Sequence, residues 1–321
     1  MTLTPAAPVH VGVDIGGTKV LAGVVDSAGR VTRTARRATP GRRIVVRQVE
    51  DALVEAVLDA ADGEPLAGVG IAAAGFVDSA GERVMFAPHL PWQGEPLRTI
   101  LEERLGCPVA LDNDANCAAL AEWTYGGARG AASALMITMG TGIGGAVLLG
   151  GRVLRGANGM AGEFGHMQVV PDGQPCECGR RGCWEQYSSG SALVRNARAR
   201  MGEQPSVLEE MCGGSPDQVT GPMVTAAAEE GDLVARAAFA SVGDWLGVGA
   251  ANLVAALDPE IVVVGGGVSV AGDRLLDPAR ASLRRSLVGA EHRVVPEMVA
   301  AELGPEAGLI GAAHLTRQTR R

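Results

Sequence analysis

Twice in this chain an apolar strand runs into glycines and leaves again as a second strand. VHVGVDIGG (9–17) continues into KVLAGVVD (19–26), and SALMITMGTGIGGAVLLGGRVL (133–154) repeats that order. Alternating apolar and small residues that stop at glycine read as strand, tight hairpin, strand. VTRTARRA (31–38) extends the first opening by a third strand. Ile44, Val45, Val49, Leu53, Val57 and Leu58 then recur at helical spacing, to about Asp62. A buried strand at 68–75, a helix over 97–105, a short strand at 108–111 and a helical pattern from Asn113 through Trp123 follow. Beyond the second opening, helices are expected at 188–201, 222–231, 232–257, 272–286 and 307–315, with one fully apolar strand, IVVV, at 261–264. Two such openings, each followed by helices, predict a duplicated α/β architecture with a break near residue 115.

A chain of 321 residues has material for about two domains. Its 46 glycines and 3% aromatic content suit tight turns and close helix–sheet contact. The net charge of −8 disfavours nonspecific binding to nucleic acid or to a membrane surface. No 18-residue apolar stretch is free of glycine and charge breaks, so no transmembrane helix is expected. MTLTPAAPVH lacks a basic region followed by a hydrophobic run, which argues against a signal peptide. Three of the six cysteines fall in one short segment, unlike a secreted disulfide framework, and a reduced cytoplasm is the expected compartment. Cys107, Cys117 and Cys212 read as small apolar side chains of the interior.

Three strands end in glycine-rich turns: DIGGTK (14–19), GTGIGG (140–145) and GGGVS (265–269). Without a Cβ, such a turn lets backbone N–H groups approach phosphate oxygens, although each by itself also reads as an ordinary hairpin. None fits the P-loop spacing or a glycine motif opening a dinucleotide-binding helix. Asp14 is either a turn-stabilising side chain or the carboxylate that orients a hydrated Mg²⁺. DNDAN (112–116) sits between a strand and a helix, where one polar residue suffices as a cap. Asp112, Asn113, Asp114 and Asn116 together exceed that need. Asp114 could accept a hydroxyl proton while Asn113 fixes the alcohol that carries it.

The segment EFGHMQVVPDGQPCECGRRGCWE (163–185) gathers His166, Cys176, Cys178 and Cys183. Three thiolates and an imidazole are the ligand set of a closed structural zinc site. Glu163 and Glu185 flank it with no metal role of their own.

DIGGTK, DNDAN, MGTGIGG, EFGH and CECGRRGCWEQYSSG, in that order, resemble the ROK family of bacterial sugar kinases and sugar-responsive repressors, from about Val9 to Leu315. GHMQVVPDG and GCWEQYSSGSAL are most similar to the family's bacterial, particularly actinobacterial, ATP-dependent glucokinases. The resemblance implies a duplicated actin-like ATPase fold with the sugar in a cleft between two domains. Residues 1–115 with 305–321 would form the small domain and 116–304 the large one carrying the zinc knuckle. It implies Mg·ATP and glucose as substrates, a structural Zn²⁺, and a homodimer or homotetramer. Asp114 would be the catalytic base, with Gly75, Asn113, Glu163, His166 and Glu185 around the sugar. Gly16, Gly17, Thr18 and Lys19 would form the first phosphate hairpin, Gly140, Thr141 and Gly142 the second, and Gly265, Gly266 and Gly267 the nucleoside floor. His166 could bind zinc through one nitrogen and donate to a sugar hydroxyl through the other. Met139 departs from the family, which has a smaller residue before GTG.

Kinases of N-acetyl hexosamines or fructose, and a sugar-sensing regulator, are the alternatives. Repressor members carry a helix-turn-helix domain ahead of the first strand, where this sequence has about eight residues. Direct DNA binding is therefore not expected. Polyphosphate-using relatives tend to lack the cysteine knuckle, so its presence favours ATP.

Overall fold

The computed structural model describes residues 7–39 and 45–318. Ile44, placed in the first helix from sequence, lies outside them, as do the first six residues and the last three.

The first sheet has the order β3-β2-β1-β4-β7. Its strands are β1 (Val9–Ile15), β2 (Lys19–Val25), β3 (Val31–Ala38), β4 (Leu66–Ala73) and β7 (Val109–Asn113). β1, β2 and β3 are antiparallel neighbours, while β1, β4 and β7 run parallel, with Val13 opposite Ile71 and Ile71 opposite Leu111. A two-stranded hairpin, β5 (Phe76–Val77) with β6 (Val84–Phe86), follows β4.

The second sheet has the order β10-β9-β8-β11-β12. It comprises β8 (Ser133–Met139), β9 (Ile143–Leu149), β10 (Arg152–Val153), β11 (Ile261–Gly265) and β12 (Glu297–Ala300). β11 pairs parallel with both β8 and β12. Each sheet is thus a meander extended by two parallel strands, the duplication expected from the two glycine hairpins.

The helices are α1 (Val46–Ala61), α2 (Leu97–Leu105), α3 (Asp114–Tyr125), α4 (Gly190–Arg200), α5 (Val207–Met211), α6 (Gly221–Glu229), α7 (Leu233–Leu257), α8 (Asp273–Ser286) and α9 (Ala307–Gln318). By its contacts the chain divides into two units. The first comprises residues 1–132, 146–162 and 302–321; the second comprises 133–145 and 163–301.

In the first unit the pleat sorts β1 into two faces. Val11, Val13 and Ile15 bury into a core with Val49, Leu53 and Val57 of α1. On the other face α9 lies directly on backbone. A Cβ on Gly12 would stand 1.9 Å from Leu309 O, and one on Gly70 would stand 1.8 Å from Ala312 O. Only glycine permits that approach, which brings α9 against β1 and β4.

In the second unit α7 is the central helix, packed against α4, α6 and α8. By length and composition alone, an 18-residue window of mean hydropathy 1.3 within it would suffice to cross a membrane. Val242, Leu246, Ala250 and Val254 are fully buried, so core packing accounts for that apolarity. The β5–β6 hairpin, α5 and β12 were not foreseen, because segments of two to five residues show too little periodicity.

Candidate active site

At the β7–α3 junction, strand leads into helix with no intervening loop. Asn113 is the cap: its Oδ1 accepts from Ala115 N at 2.9 Å and Asn116 N at 3.2 Å. Its Nδ2 donates to Gly75 O at 3.1 Å, tying the cap to the end of β4. Gly75 is fixed in turn, since a Cβ there would stand 2.6 Å from Phe86 O.

Asp112 is 2% exposed and uses both oxygens. Oδ1 accepts from Asn113 N and Asn116 Nδ2, each at 2.8 Å, and Oδ2 accepts from Arg155 Nε at 2.9 Å. Asp114 is the first residue of α3, its Oδ1 accepting from Ala115 N at 2.9 Å. Three of the four polar residues of DNDAN therefore hold the junction, and Asp114 is presented by it. Arg155 went unnoticed in the sequence because its partner lies 43 positions away.

Asp14 lies on the α9 face of β1, its Oδ1 3.8 Å from where a Cβ of Gly308 would be. Burial pushes its carboxyl above the usual range, against the pull of Lys19. Gly16 N donates to Lys19 O, closing the first hairpin. Gly16 has open space where a Cβ would be, whereas Gly17 abuts His89.

Residues 163–185 contain almost no regular structure beyond two short 3-10 turns, at Phe164–His166 and Trp184–Gln186. Backbone bonds fold the segment on itself: Val169 N to Gly182 O, Cys176 N to Arg180 O, Trp184 N to Met167 O. Trp184, fully buried, anchors it to α7. Its indole occupies a notch where a Cβ on Gly249 would stand 2.0 Å away, and Nε1 donates to Trp245 O at 2.7 Å.

The ligand atoms of His166, Cys176, Cys178 and Cys183 lie within 4.8 Å of one another. Cys178 Sγ is 3.6 Å from Cys183 Sγ, and His166 Nδ1 is 3.7 Å from Cys176 Sγ. Tetrahedral zinc with Zn–S bonds of about 2.3 Å sets its ligand atoms about 3.5–3.8 Å apart, so these residues fit it. Burial first, then hydrogen bonds to Glu185 and neighbouring thiols, push the Cys176 thiol up to about 12 in the metal-free chain. Metal binding must therefore displace its proton.

Glu185 stands beside the cluster, its Oε1 3.2 Å from Cys176 Sγ and 3.6 Å from His166 Nδ1. Burial, aided by Glu185 and opposed by His166, raises the Glu163 carboxyl. The second glycine turn reaches this wall. A Cβ on Gly142 would stand 2.3 Å from Glu185 Oε2, so its absence makes room for the carboxylate.

A cavity of about 1000 Å³ opens on the other side of that turn, wholly within the second unit. Gly140 and Thr141 form one end, and α4, α6 and the turn after β11 form its walls. Of Gly265, which ends β11, and Gly266 and Gly267, which follow it, Gly267 alone lines the cavity. Gly265 packs on Met136, and Gly266, at φ +85°, packs on the backbone of Met139. Met139 is itself fully buried, which leaves the turn closed by Gly140 N to Gly142 O at 3.0 Å.

The profile of the ROK family matches residues 10–319. This chain belongs to the ROK family. It is 45% identical over 311 residues to a glucokinase of Streptomyces coelicolor, covering 96% of this chain and 97% of that one. The crystal structure of a ROK family glucokinase from Streptomyces griseus, in complex with glucose and AMPPNP, matches with a TM-score of 0.86 at 46% identity. That match covers 97% of this chain and 99% of the other. A ROK hexokinase from Thermus thermophilus matches with a TM-score of 0.77 at 37% identity, over 97% and 99% of the two chains. The ROK fold is the duplicated actin-like ATPase architecture that the resemblance implied, and the two hairpins had indicated its duplication.

In this ROK chain the sequence motifs become three built features: a capped acidic junction, a cysteine–histidine wall and a glycine-ended cavity. Sequence reasoning missed Arg155, Trp184 and the cavity walls on α4 and α6. Arg155 and Trp184 act through partners distant in the chain, and the walls are ordinary helix faces until packed.

Proposed function

We propose that this ROK protein transfers the γ-phosphoryl group of ATP to the 6-hydroxyl of glucose. The observation that carries the reading is the likeness over nearly the whole chain to the Streptomyces griseus enzyme in complex with glucose and AMPPNP. Asp114 is the group assigned to the 6-hydroxyl, receiving its proton as the oxygen attacks the γ-phosphorus in line. Asn113 is already spent on the cap through Oδ1 and on Gly75 through one amide hydrogen, which leaves its second amide hydrogen for a neighbouring hydroxyl.

Glu163, His166 and Glu185 are assigned to the remaining ring hydroxyls. His166 turns Nδ1 toward the cysteines, so Nε2 carries the proton and donates. Zinc supplies rigidity to this wall and no chemistry. Gly140 and Thr141, with the first hairpin at Gly16, Gly17, Thr18 and Lys19, are assigned to the phosphates, and Gly267 to the nucleoside. Asp14, a half-buried carboxylate near the end of β1, fits Mg²⁺, which would neutralise phosphate charge when bound. All six cysteines are free, which supports a reducing, cytoplasmic setting.

The test is a coupled assay with ATP or polyphosphate against glucose, mannose, fructose and the N-acetyl hexosamines. Glucose with ATP should give the highest kcat/KM. Turnover of an N-acetyl sugar with none of glucose would overturn the assignment.

A further inference from the structure

The polar side chains that line the cavity are almost all committed to the protein. Arg195 donates to Gln186 O, and Arg198 Nη2 donates to Asp217 O at 2.8 Å and Val219 O at 3.0 Å. Thr225 Oγ1 donates to Gly221 O at 3.1 Å. Glu229 is paired with Arg274 at 3.5 Å and its side chain is 56% exposed, so solvent screens it. Thr141 and Ser191 lie at the glycine end, where phosphates would be. Away from that end the surface is Leu193, Val194, Pro222, Ala226, Val268 and Val270.

One buried donor of the lining is left over. Arg198 Nε is buried without a partner among the described residues. A guanidinium only donates, so it could meet N3 or N7, which adenine, guanine and hypoxanthine share, or O6, which guanine and hypoxanthine carry, and it offers adenine's amino group no acceptor. The exocyclic amino groups, at position 6 of adenine and position 2 of guanine, find no dedicated acceptor side chain in the lining, whose one carboxylate, Glu229, is paired with Arg274.

A site built to hydrogen-bond a substrate group rejects analogues lacking it by about 10⁴–10⁵, whereas an apolar pocket discriminates by only about 10–200-fold. Resting on the reading of this cavity as the nucleoside site, we infer that the chain selects its phosphoryl donor as a purine nucleoside triphosphate by shape and apolar contact. GTP and ITP then serve as donors alongside ATP. Pyrimidine nucleotides, with one ring to bury, serve less well.

The experiment measures kcat/KM for ATP, GTP, ITP and UTP at saturating glucose, and the Kd of ADP, GDP and IDP by calorimetry. GTP and ITP are expected within about tenfold of ATP, with UTP below all three. A preference for ATP over GTP larger than about a hundredfold overturns the inference, and any smaller one supports it. The calorimetric ratios remain defined even if no hexose is phosphorylated, which separates failure of this inference from failure of the proposed reaction. Ala226→Phe, which fills the cavity, should weaken ADP, GDP and IDP together and leave the glucose KM unchanged. Should that variant lose its melting transition, Val270→Trp on the exposed rim takes its place. Unaltered nucleotide affinity in the folded variant would overturn the placement of the base.

Discussion

The β7–α3 junction and the 163–185 segment both carry the acidic groups assigned to the sugar, yet they are held by opposite means. The junction is fixed by the chain itself: Asn113 caps α3, and Asp112 is saturated by Asn113 N, Asn116 and Arg155. The 163–185 segment has two single-turn 3-10 helices and a few backbone bonds, and its four ligand side chains converge on one point. One region is preorganised by hydrogen bonds; the other is anchored by a buried tryptophan and carries a ligand set that zinc would tie together. Perturbations should therefore separate them.

The largest effect is expected at the junction's active member. Asp114→Asn should lower kcat by about 10²–10⁴-fold, about 3–5 kcal/mol in the barrier, with the melting temperature unchanged. A folded variant that keeps more than about a tenth of kcat would remove Asp114 from the role of base.

Arg155→Met strands a carboxylate whose side chain is 3% exposed. Breaking such a pair costs about 3–5 kcal/mol, here toward the lower end because Arg155 is 31% exposed. Asp112→Asn added to Arg155→Met should recover part of that loss in denaturant melts. A double variant as unstable as the sum of the single ones would show that the two residues are uncoupled.

Zinc removal tests the other region. Chelation, verified by metal analysis, should lower the melting temperature and raise the glucose KM by about 10–100-fold. The nucleotide Kd should move far less, because the cavity lies across the glycine turn from the cluster. Unchanged glucose affinity in metal-free protein would sink the idea that zinc shapes the sugar wall.

The smallest effect provides a control away from both regions. Asp232 caps α7 through Ala235 N at 2.8 Å and also holds Ser206 Oγ and Val207 N, each at 2.7 Å. Burial raises its carboxyl, but these hydrogen bonds together outweigh that and leave it below the usual range. A depressed folded value means its stabilisation is complete above the ordinary carboxylate range and is lost as pH falls through the depressed one. Asp232→Ala should cost about 1–2 kcal/mol at neutral pH, a difference that shrinks in acid melts. A cost independent of pH would show that its charge is not what the cap uses.

Much of this was legible because it is local. Glycine turns after apolar strands, a cap set between strand and helix, and ligands grouped from 166 to 183 are all short-range patterns. The hairpin β1–β2 falls within two residues of its expected bounds for that reason, whereas the second strand expected to run to 154 breaks after Leu149, and Arg152–Val153 forms β10. The short β5–β6 and β12 were not legible, since two to four residues cannot show a period. Gly265 and Gly266 looked equivalent to Gly267, but alternation and a positive φ turn them toward β8.

By itself the sequence determined the duplicated strand–glycine–strand plan, the polar cap between strand and helix and the cysteine–histidine cluster, because each depends on residues close in the chain. The tertiary structure alone decided which partners complete them. Arg155 neutralises Asp112, Gly249 admits Trp184, Gly142 leaves space for Glu185, and α4 and α6 wall the cavity. Those choices depend on close approach between segments tens of residues apart, and packing at that range leaves no periodic trace in a single sequence.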